Sequence, residues 1–277
     1  MEIPTNPSAM IDLLRAWFFA KDRSIVLADN TFILNKIHSW SIACSLYQNI
    51  PGLVGFWPMS SVQRSTGNAY DLSGQNRTLT YNGNPTYNFD GLVPYIAFDG
   101  TGDYLSRADE TDLDILGTET IYNSAIRGLT VGGWFWFNDI NVSRMLISKR
   151  AAAGNASWNM RRAAGSHKID FRISTDGTAF HVITHSTIIS ANKWYFCVGR
   201  FEPSIGTSTI INADIETNST ATPASIFNSS ANLEIGAFFG STQVMNGRAT
   251  LCFLSANALS DTIITNLFQQ TRRLFGV

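Results

Sequence analysis

Three carboxylates in one short run are the residues best placed for acid–base chemistry: Glu110, Asp112 and Asp114, in the sequence RADETDLDI. A spacing of two residues puts alternate side chains on one face of a strand. Retaining glycosidases use two such carboxylates about 5–5.5 Å apart, one as the acid and one as the nucleophile. Aspartate is also a common turn former, and this run favours a solvated loop, in which Asp114 caps a turn, over an active site.

The four histidines, His38, His167, His181 and His185, are too scattered along the chain to suggest a zinc site. The sequence HVITH puts His181 and His185 on the same face of a predicted strand, which favours a polar sheet face over a metal site. The sequence also contains no G-x-S-x-G motif, P-loop or dinucleotide fingerprint. We therefore predict a protein without enzymatic activity and assign no catalytic residue.

Cysteine usage and charge narrow the class of protein further. Cys44, Cys197 and Cys252 are far apart and odd in number, which predicts free thiols; a Cys197–Cys252 disulfide would require adjacent strands.

The 20 basic and 21 acidic residues leave a net charge of −1, which argues against nucleic acid as a partner. No apolar run approaches the roughly 20 residues that cross a bilayer, and the N-terminus lacks signal-peptide features. These features predict synthesis in a cytoplasm and no membrane partner.

The first 49 residues differ in pattern from the rest of the chain. Apolar residues from Met10 to Phe18 recur at helical spacing, and a second helix is predicted over 34–47. Two short helices cannot form a stable core alone, so they must pack on the following domain or on another protein. We therefore divide the chain into a helical attachment segment, 1–49, and a second domain, 50–277.

From Gly52 onward, short runs of β-branched and aromatic residues alternate with clusters of turn-forming residues. This pattern predicts a mainly β fold with two packed antiparallel sheets. Ser260 and Asp261 predict the start of a C-terminal amphipathic helix on the outside of that fold. The predicted strands are 53–58, 94–99, 103–107, 129–137, 144–149, 157–162, 168–174, 180–184, 194–201, 208–214, 232–236 and 248–254.

The order of several segments in this region resembles the laminin-G-like branch of the concanavalin A-like jelly rolls. The segments are GLVGFWPM (52–59), DLSG (71–74), FDGTGDYLSR (98–107), LTVGGWFWF (129–137), LISKR (146–150), NKWYFCVGRF (192–201) and GRATLCFLSANALSD (247–261). The resemblance implies a jelly-roll sandwich whose first strand pairs with its last. It also implies that Glu110, Asp112 and Asp114 lie in an exposed connection. In LTVGGWFWF, the alternation predicts a central strand covered on both faces, with Trp134 and Trp136 on one of them.

The resemblance further implies a calcium site at the rim of the sandwich, because such relatives often hold Ca²⁺ there with loop oxygens. Asp71, Asn76, Asp99 and Asp103 are the matching oxygen donors in this sequence. The same residue types are common in turns, and that structural interpretation is favoured here. The basic segment 148–168, which contains Trp158, suits either an anionic glycan or partner protein, or a solvent-exposed hairpin, and the hairpin is favoured.

Two further stretches, NPSAMIDLLRAWFFAKDRSIVLADN and QQTRRLFGV, resemble the laminin-G-like proteins of tailed bacteriophages. That similarity implies a non-enzymatic virion structural protein of the decoration or tail-fibre type, made in the host cytoplasm and located on the virion. Its implied partners are other virion proteins, further copies of itself in a homotrimer, and a host-surface glycan. The alternatives are a free carbohydrate-binding lectin, which would need export, and a glycoside hydrolase of the same fold, which would need a carboxylate constellation.

Three consecutive aromatic residues, Trp17, Phe18 and Phe19, are the candidates for the partner-binding surface. Three bulky aromatics in a row cannot all face one small core, which is consistent with attachment to another protein. The equal alternative is that they cover an edge of their own jelly roll.

Overall fold

The computed structural model describes residues 30–59, 67–90, 93–118, 127–152, 154–240 and 242–277. Its helices are α1 (Asn30–Gln48) and α2 (Asp261–Thr271), with short 3₁₀ turns at Thr111–Leu113 and Arg272–Leu274. The strands are β1 (Leu53–Trp57), β2 (Asn68–Ala69), β3 (Leu79–Asn82), β4 (Thr86–Asp90), β5 (Val93–Asp99), β6 (Tyr104–Arg107), β7 (Arg127–Phe137), β8 (Arg144–Arg150), β9 (Ala156–Arg162), β10 (Ile169–Ser174), β11 (Phe180–Thr184), β12 (Trp194–Glu202), β13 (Gly206–Ile211), β14 (Asp214–Asn218), β15 (Leu233–Ile235) and β16 (Asn246–Asn257).

The strands form two eight-stranded antiparallel sheets. Sheet A has the order β14-β13-β12-β7-β16-β5-β4, with β1 also paired to β16. Sheet B has the order β11-β10-β9-β8-β15-β6-β3-β2. This arrangement confirms the predicted two-sheet jelly-roll sandwich and the predicted pairing of the first strand with the last.

The core between the sheets follows from the alternation of side chains along each strand. Strand β7 sends Phe135 and Phe137 into the space between the sheets, where they meet a core that includes Trp158 and Phe171 of sheet B. Its other face carries Trp134, which is also fully buried. Strand β7 is therefore covered on both faces and central, as its sequence predicts.

Helices α1 and α2 cover the outer face of sheet A. The ring of Tyr47 on α1 stacks on Phe56 of β1, with 5.1 Å between centroids. Trp134 stacks on Phe275, with 4.0 Å between centroids, and its indole N–H donates to Thr271 Oγ1 at 3.1 Å. Helix α1 thus packs on the sandwich, and α2 lies on its outside as predicted.

The predicted strands are found within a few residues of their expected bounds, whereas β2, β3, β4 and β14 were not predicted. Residues 208–214 were predicted as one strand, but the chain turns at Asn212 and Ala213, both with positive φ, and returns as β14. Cys197 on β12 and Cys252 on β16 are free, because β7 lies between their strands. No helix in the described part of the chain is long and apolar enough to cross a membrane. Trp17, Phe18 and Phe19 lie outside the described residues.

Candidate functional site

The outer face of sheet B carries a line of polar side chains that crosses the sheet in register. At Glu234, Asn159 and Arg172 the residues on either side belong to the buried core, so the pleat turns these side chains outward. Asn159 lies directly opposite Ser148 on one neighbouring strand and Arg172 on the other. We call this line the polar row; from β3 to β10 it comprises Thr80, Ser106, Glu234, Ser148, Asn159 and Arg172, and the apolar Val182 of β11 follows in register.

A small hairpin, Phe238–Thr242, lies over the polar row. Phe238 and Thr242 exchange backbone hydrogen bonds of 3.2 and 3.1 Å, which close the hairpin. Ser148 Oγ donates to the carbonyl oxygen of Ala237 at 2.9 Å and so holds the hairpin on the sheet. At the tip, Phe239 has φ of +51° and is 61% exposed. The hairpin, which we call the cover hairpin, therefore combines attachment at its base with an exposed aromatic ring at its tip.

Glu234 is the acidic member of the polar row and lies beneath the cover hairpin. Both carboxylate oxygens lie 3.2 Å from the backbone nitrogen of Gly240, and the residue is only 3% exposed. Burial raises the pKa of Glu234 to about 7, although the Gly240 N–H favours the charged form. Burial and the charge of Glu234 also raise the pKa of the nearby Tyr104 phenol. Near neutral pH, the protonated and charged forms of Glu234 are therefore close in free energy.

Asn159 is the most unusual member of the polar row, because its side chain is fully buried and unsatisfied. Neither its amide nitrogen nor its amide oxygen has a hydrogen-bond partner within the described part of the molecule. Nearly all buried polar groups in proteins are hydrogen-bonded, because an unpaired one costs roughly 1–3 kcal/mol. An unpaired donor and acceptor on one side chain indicate a position that a ligand or ordered water completes.

Three arginines gather next to Asn159; we call Arg150, Arg161 and Arg172 the arginine cluster. Asp170 Oδ2 accepts from Arg172 at 2.7 Å and from Arg161 at 3.2 Å, while its Oδ1 accepts from the Thr184 hydroxyl at 2.7 Å. Burial, followed by repulsion from the other two guanidinium groups, lowers the pKa of Arg150. Burial, followed by repulsion from Arg172, lowers the pKa of Arg161, although the attraction and the hydrogen bond to Asp170 act in the opposite direction.

The guanidinium of Arg150 lies between two aromatic rings. Its central carbon is 4.3 Å from the ring centre of Phe238 and 4.9 Å from that of Phe180. Such cation–π contacts orient a guanidinium without neutralising its charge. One side of the sheet therefore combines three kinds of group. The arginine cluster supplies hydrogen-bond donors, Asn159 supplies an amide donor and acceptor, and Phe180 and Phe238 supply apolar surface.

A model of the concanavalin A-like lectin/glucanases superfamily matches residues 99–264, more than half of the chain. The chain belongs to this superfamily. The match confirms the laminin-G-like, concanavalin A-like part of the sequence resemblance, whereas the bacteriophage part stays a prediction. No curated protein sequence matches the chain.

Several solved structures share the fold of this concanavalin A-like protein. The binding domain of Paraclostridial Mosquitocidal Protein 1 is 14% identical, with a TM-score of 0.62, over 80% of this chain and 52% of that one. The binding domain of botulinum neurotoxin DC, solved in complex with SialylT, is 16% identical, with a TM-score of 0.58 over the same shares. The same toxin domain in complex with rat synaptotagmin II is 15% identical, with a TM-score of 0.60, over 79% and 51%. The chain spans about half the length of these structures, and identities this low show the fold alone.

The first pair of predicted calcium ligands, Asp71 and Asn76, lies in the loop after β2. Asp71 accepts four hydrogen bonds: its Oδ1 from the backbone nitrogens of Phe56 (2.9 Å) and Ser73 (2.8 Å), and its Oδ2 from Ser73 Oγ (2.7 Å) and Arg77 N (2.8 Å). Asn76 is exposed, with φ of +59°. Asp71 thus orders the loop through its own hydrogen bonds, which fits the favoured turn interpretation.

The second pair, Asp99 and Asp103, lies in the β5–β6 turn of this concanavalin A-like sandwich. Asp103 is buried and accepts from the backbone nitrogens of Asn84 at 2.7 Å and Asp99 at 3.2 Å. Asp99 is exposed and accepts from Thr101 N at 2.6 Å. These hydrogen bonds organise the turn, and a calcium ion at the rim stays a prediction.

The carboxylate run that suggested acid–base chemistry is used for ion pairs. Arg77, only 3% exposed, contacts Glu110 at 2.9 Å and Asp112 at 2.7 Å. Asp114 lies at the C-cap of the 3₁₀ turn, as predicted, and 3.2 Å from the buried Lys149. The run is therefore a connection that neutralises two buried cations, and it is less solvated than its sequence predicts.

The two histidines of HVITH have different environments. His181 is exposed, whereas His185 is fully buried and lies with Asp214 and Glu216 in a group whose ligand atoms are within 4.8 Å of one another. His185 Nδ1 accepts from Thr187 N at 3.1 Å, so its proton lies on Nε2, which donates to the Asp214 carbonyl at 3.1 Å. Both ring nitrogens are thus used in protein hydrogen bonds, and the group is explained without a metal.

Sequence reasoning missed Glu234 and Arg172, and it included Asn159 only as part of the basic segment 148–168, for which it favoured a solvent-exposed hairpin. The signal was present as alternation, because SWNMR in β9 and DFRI in β10 place one polar residue between two core residues. The alignment of these positions into one row depends on strand order, which the sequence does not reveal.

Proposed function

We propose that this protein is a non-enzymatic module that binds carbohydrate on the outer face of sheet B. The observation that carries the proposal is Asn159, a fully buried amide whose donor and acceptor have no partner among the described residues. Because this amide has no exposed surface, a sugar reaches it when the side chains over it move, and it can then donate to one sugar hydroxyl and accept from the next. Ligand sites commonly combine a few such polar groups with apolar and aromatic walls.

Aromatic side chains next to Asn159 support a sugar as the ligand. Phe180 and Phe238 frame the arginine cluster, and Phe239 exposes most of its ring at the tip of the cover hairpin. A flat apolar ring packs well against the C–H face of a sugar, while neighbouring polar groups bind its hydroxyls. Phe239, on a hairpin tip with positive φ, leaves most of its surface available to a ligand.

The spacing of carboxylates favours binding over hydrolysis. Glu234 belongs to the polar row on β15, and Asp170 lies on the same face of β10, three strands away. At about 4.8 Å per strand their strands are about 14 Å apart, and Asp170 is also two residues away from the polar row along β10. Retaining glycosidases need about 5–5.5 Å and inverting ones about 6.5–9.5 Å between carboxyl groups. This pair is therefore too far apart for either mechanism.

The location and assembly of the module are proposed from its N-terminal segment and from the sequence resemblance. We propose that the module is displayed on a virion, with the N-terminal segment bound to other virion proteins and the whole forming a homotrimer. The support is the sequence resemblance to laminin-G-like proteins of tailed bacteriophages, together with an exposed Ile42 on α1. The second candidate is a free lectin, which would use the same sheet face without the particle.

The binding test is a glycan array with the full chain and two matched variants, Asn159→Ala and Asn266→Ala. Asn266 is exposed on α2, so its replacement controls for loss of an amide. We expect wild type and Asn266→Ala to bind the same glycans, and Asn159→Ala to lose at least about tenfold in affinity. Its unfolding midpoint should be unchanged or higher, since an unpaired buried amide is removed. Equal binding by Asn159→Ala, or no binding by wild type, would overturn the proposal.

The assembly test uses the same full chain. Trp17, Phe18 and Phe19 are replaced together by serine, and solution mass is measured by light scattering. A wild-type trimer and a monomeric variant would support assembly through the N-terminal segment. A wild-type monomer would contradict the homotrimer and favour the free lectin.

A further inference from the structure

The side of the polar row that contains Asn159 carries more positive than negative charge. Arg150, Arg161 and Arg172 interact with one another, and Asp170 is the carboxylate that bonds to two of them. Both oxygens of Asp170 are already used, by Arg161, Arg172 and Thr184. The described residues therefore place three cations against one anion at this position.

Arg150 contributes most to this excess of positive charge, because it is half-buried and contacts aromatic rings instead of a carboxylate. Its guanidinium lies between Phe180 and Phe238, and no ion pair connects it to the described carboxylates. Partial burial of an unpaired cation beside two like charges opposes folding, as does the unsatisfied Asn159 next to it. A protein retains such an arrangement where a ligand completes it.

The shape of the donors indicates the ligand group. A guanidinium presents its N–H groups as a rigid planar fork that matches the oxygens of a carboxylate or sulfate. The flanking rings fix the orientation of the Arg150 fork before any ligand arrives, which lowers the entropic cost of binding. Asn159, directly opposite Arg172, can bond to a hydroxyl next to the anionic group.

We propose that the ligand of this face is an acidic carbohydrate, whose carboxylate or sulfate group is bound by Arg150 and Arg172 beside Asn159. This inference rests on the proposed carbohydrate-binding function and names the class of its ligand. With a net charge of −1 the chain as a whole does not attract anions, so an anion is recognised through local contacts.

The test uses full-length Arg150→Gln and Arg172→Gln, with Arg273→Gln as the matched control because Arg273 is exposed at the C-terminal end. Each protein is applied to an array that pairs uronic, sialylated and sulfated glycans with neutral ones. We expect wild type and Arg273→Gln to prefer acidic members, with weaker binding as salt rises. Arg150→Gln and Arg172→Gln should each lose at least about tenfold on those members. Preference among the acidic arms distinguishes a carboxylate from a sulfate.

A second measurement separates failure of this inference from failure of the proposed function. Inorganic sulfate and chloride are titrated at matched ionic strength, and the unfolding midpoint is followed. Sulfate stabilises most proteins by exclusion, equally in all variants, so the signal is an extra rise in wild type that Arg150→Gln lacks. Binding of neutral glycans that Arg150→Gln retains would overturn the acidic ligand and leave carbohydrate binding intact. No glycan binding and no extra sulfate effect would overturn both.

Discussion

Both carboxylate oxygens of Glu234 lie 3.2 Å from the backbone nitrogen of Gly240. This contact joins the middle of sheet B to the tip of the cover hairpin, and it is formed by a residue whose protonation changes near neutral pH. A charged carboxylate accepts a stronger hydrogen bond from Gly240, but at this position it has lost most of its hydration. The pH dependence of the free energy of unfolding measures whether the hydrogen bond from Gly240 offsets the lost hydration of the carboxylate.

The first prediction concerns the pH dependence of stability. Burial raises the pKa of Glu234 from 4.5 to about 7, so the folded protein holds this proton more tightly than the unfolded chain does. This contribution is fully present below about pH 4.5 and is lost as the pH rises through 7, on the order of 3 kcal/mol in total. Urea unfolding from pH 5 to 8 should show this decline in wild type and a flatter profile in Glu234→Gln. Glu202→Gln, on sheet A, is the control and should keep the wild-type decline.

The second prediction concerns Lys149, which is 1% exposed on the inner side of β8. Its ammonium group bonds to Asp109 and to the carbonyl oxygens of Ser229 (2.7 Å) and Ala231 (3.2 Å), and pairs with Asp114. Lys149→Met leaves these acceptors without their cation, and we expect a loss of about 3–5 kcal/mol in the free energy of unfolding. The exposed Lys193→Met should change it by less than about 0.5 kcal/mol. Similar unfolding curves for the two variants would contradict this account of the buried ammonium.

The third prediction concerns the attachment of the C-terminal residues to sheet A. Phe275 stacks on Trp134 at 4.0 Å and contacts Trp194 edge-on at 5.1 Å. Phe275→Ala should lower the free energy of unfolding by about 3 kcal/mol and increase the tryptophan emission wavelength as water reaches Trp134. Val277→Ala, at an exposed position, serves as the control. An unshifted emission spectrum would mean that the ring does not shield Trp134 in solution.

The fourth prediction concerns the rim carboxylates that the sequence associates with calcium. Asp71 accepts four hydrogen bonds from its own loop and from β1, so Asp71→Ala should destabilise the fold by about 2–3 kcal/mol. We expect the same loss in calcium chloride and in EDTA. A loss that appears in calcium alone would instead establish the predicted metal site, and Asp99→Asn would then test its second half.

The sequence predicted the fold well because the relevant information is local. The alternation around Trp134 revealed a strand buried on both faces, and Ser260, whose Oγ accepts from Ile263 N at 3.4 Å, marked the start of α2. The strands that were missed have a different composition. Strand β4, TYNFD, has little buried surface, so its hydrophobic pattern is weak; it is stabilised by pairing with β5.

The candidate site was much harder to predict than the fold. Asn159 and Glu234 are 75 positions apart in the sequence. They share one face of the sheet because each lies opposite Ser148 of β8, the strand between β9 and β15. Burial, which makes Glu234 titrate near neutrality, depends on a hairpin that follows it in the chain. Asp71 and Asp103 were predicted as calcium ligands because they are carboxylates in predicted turns. In the structure, both accept hydrogen bonds from nearby backbone nitrogens.

The pairing of β1 with β16 has a consequence for engineering. Leu53 lies opposite Ser255, so the chain enters and leaves the sandwich at neighbouring positions in the middle of one sheet. Domains with adjacent ends tolerate circular permutation. A linker from the residues after α2 to the start of α1 keeps both helices on sheet A, and new termini opened in the turn near Gly165 should then give a permuted sandwich that presents the same sheet face from the opposite direction.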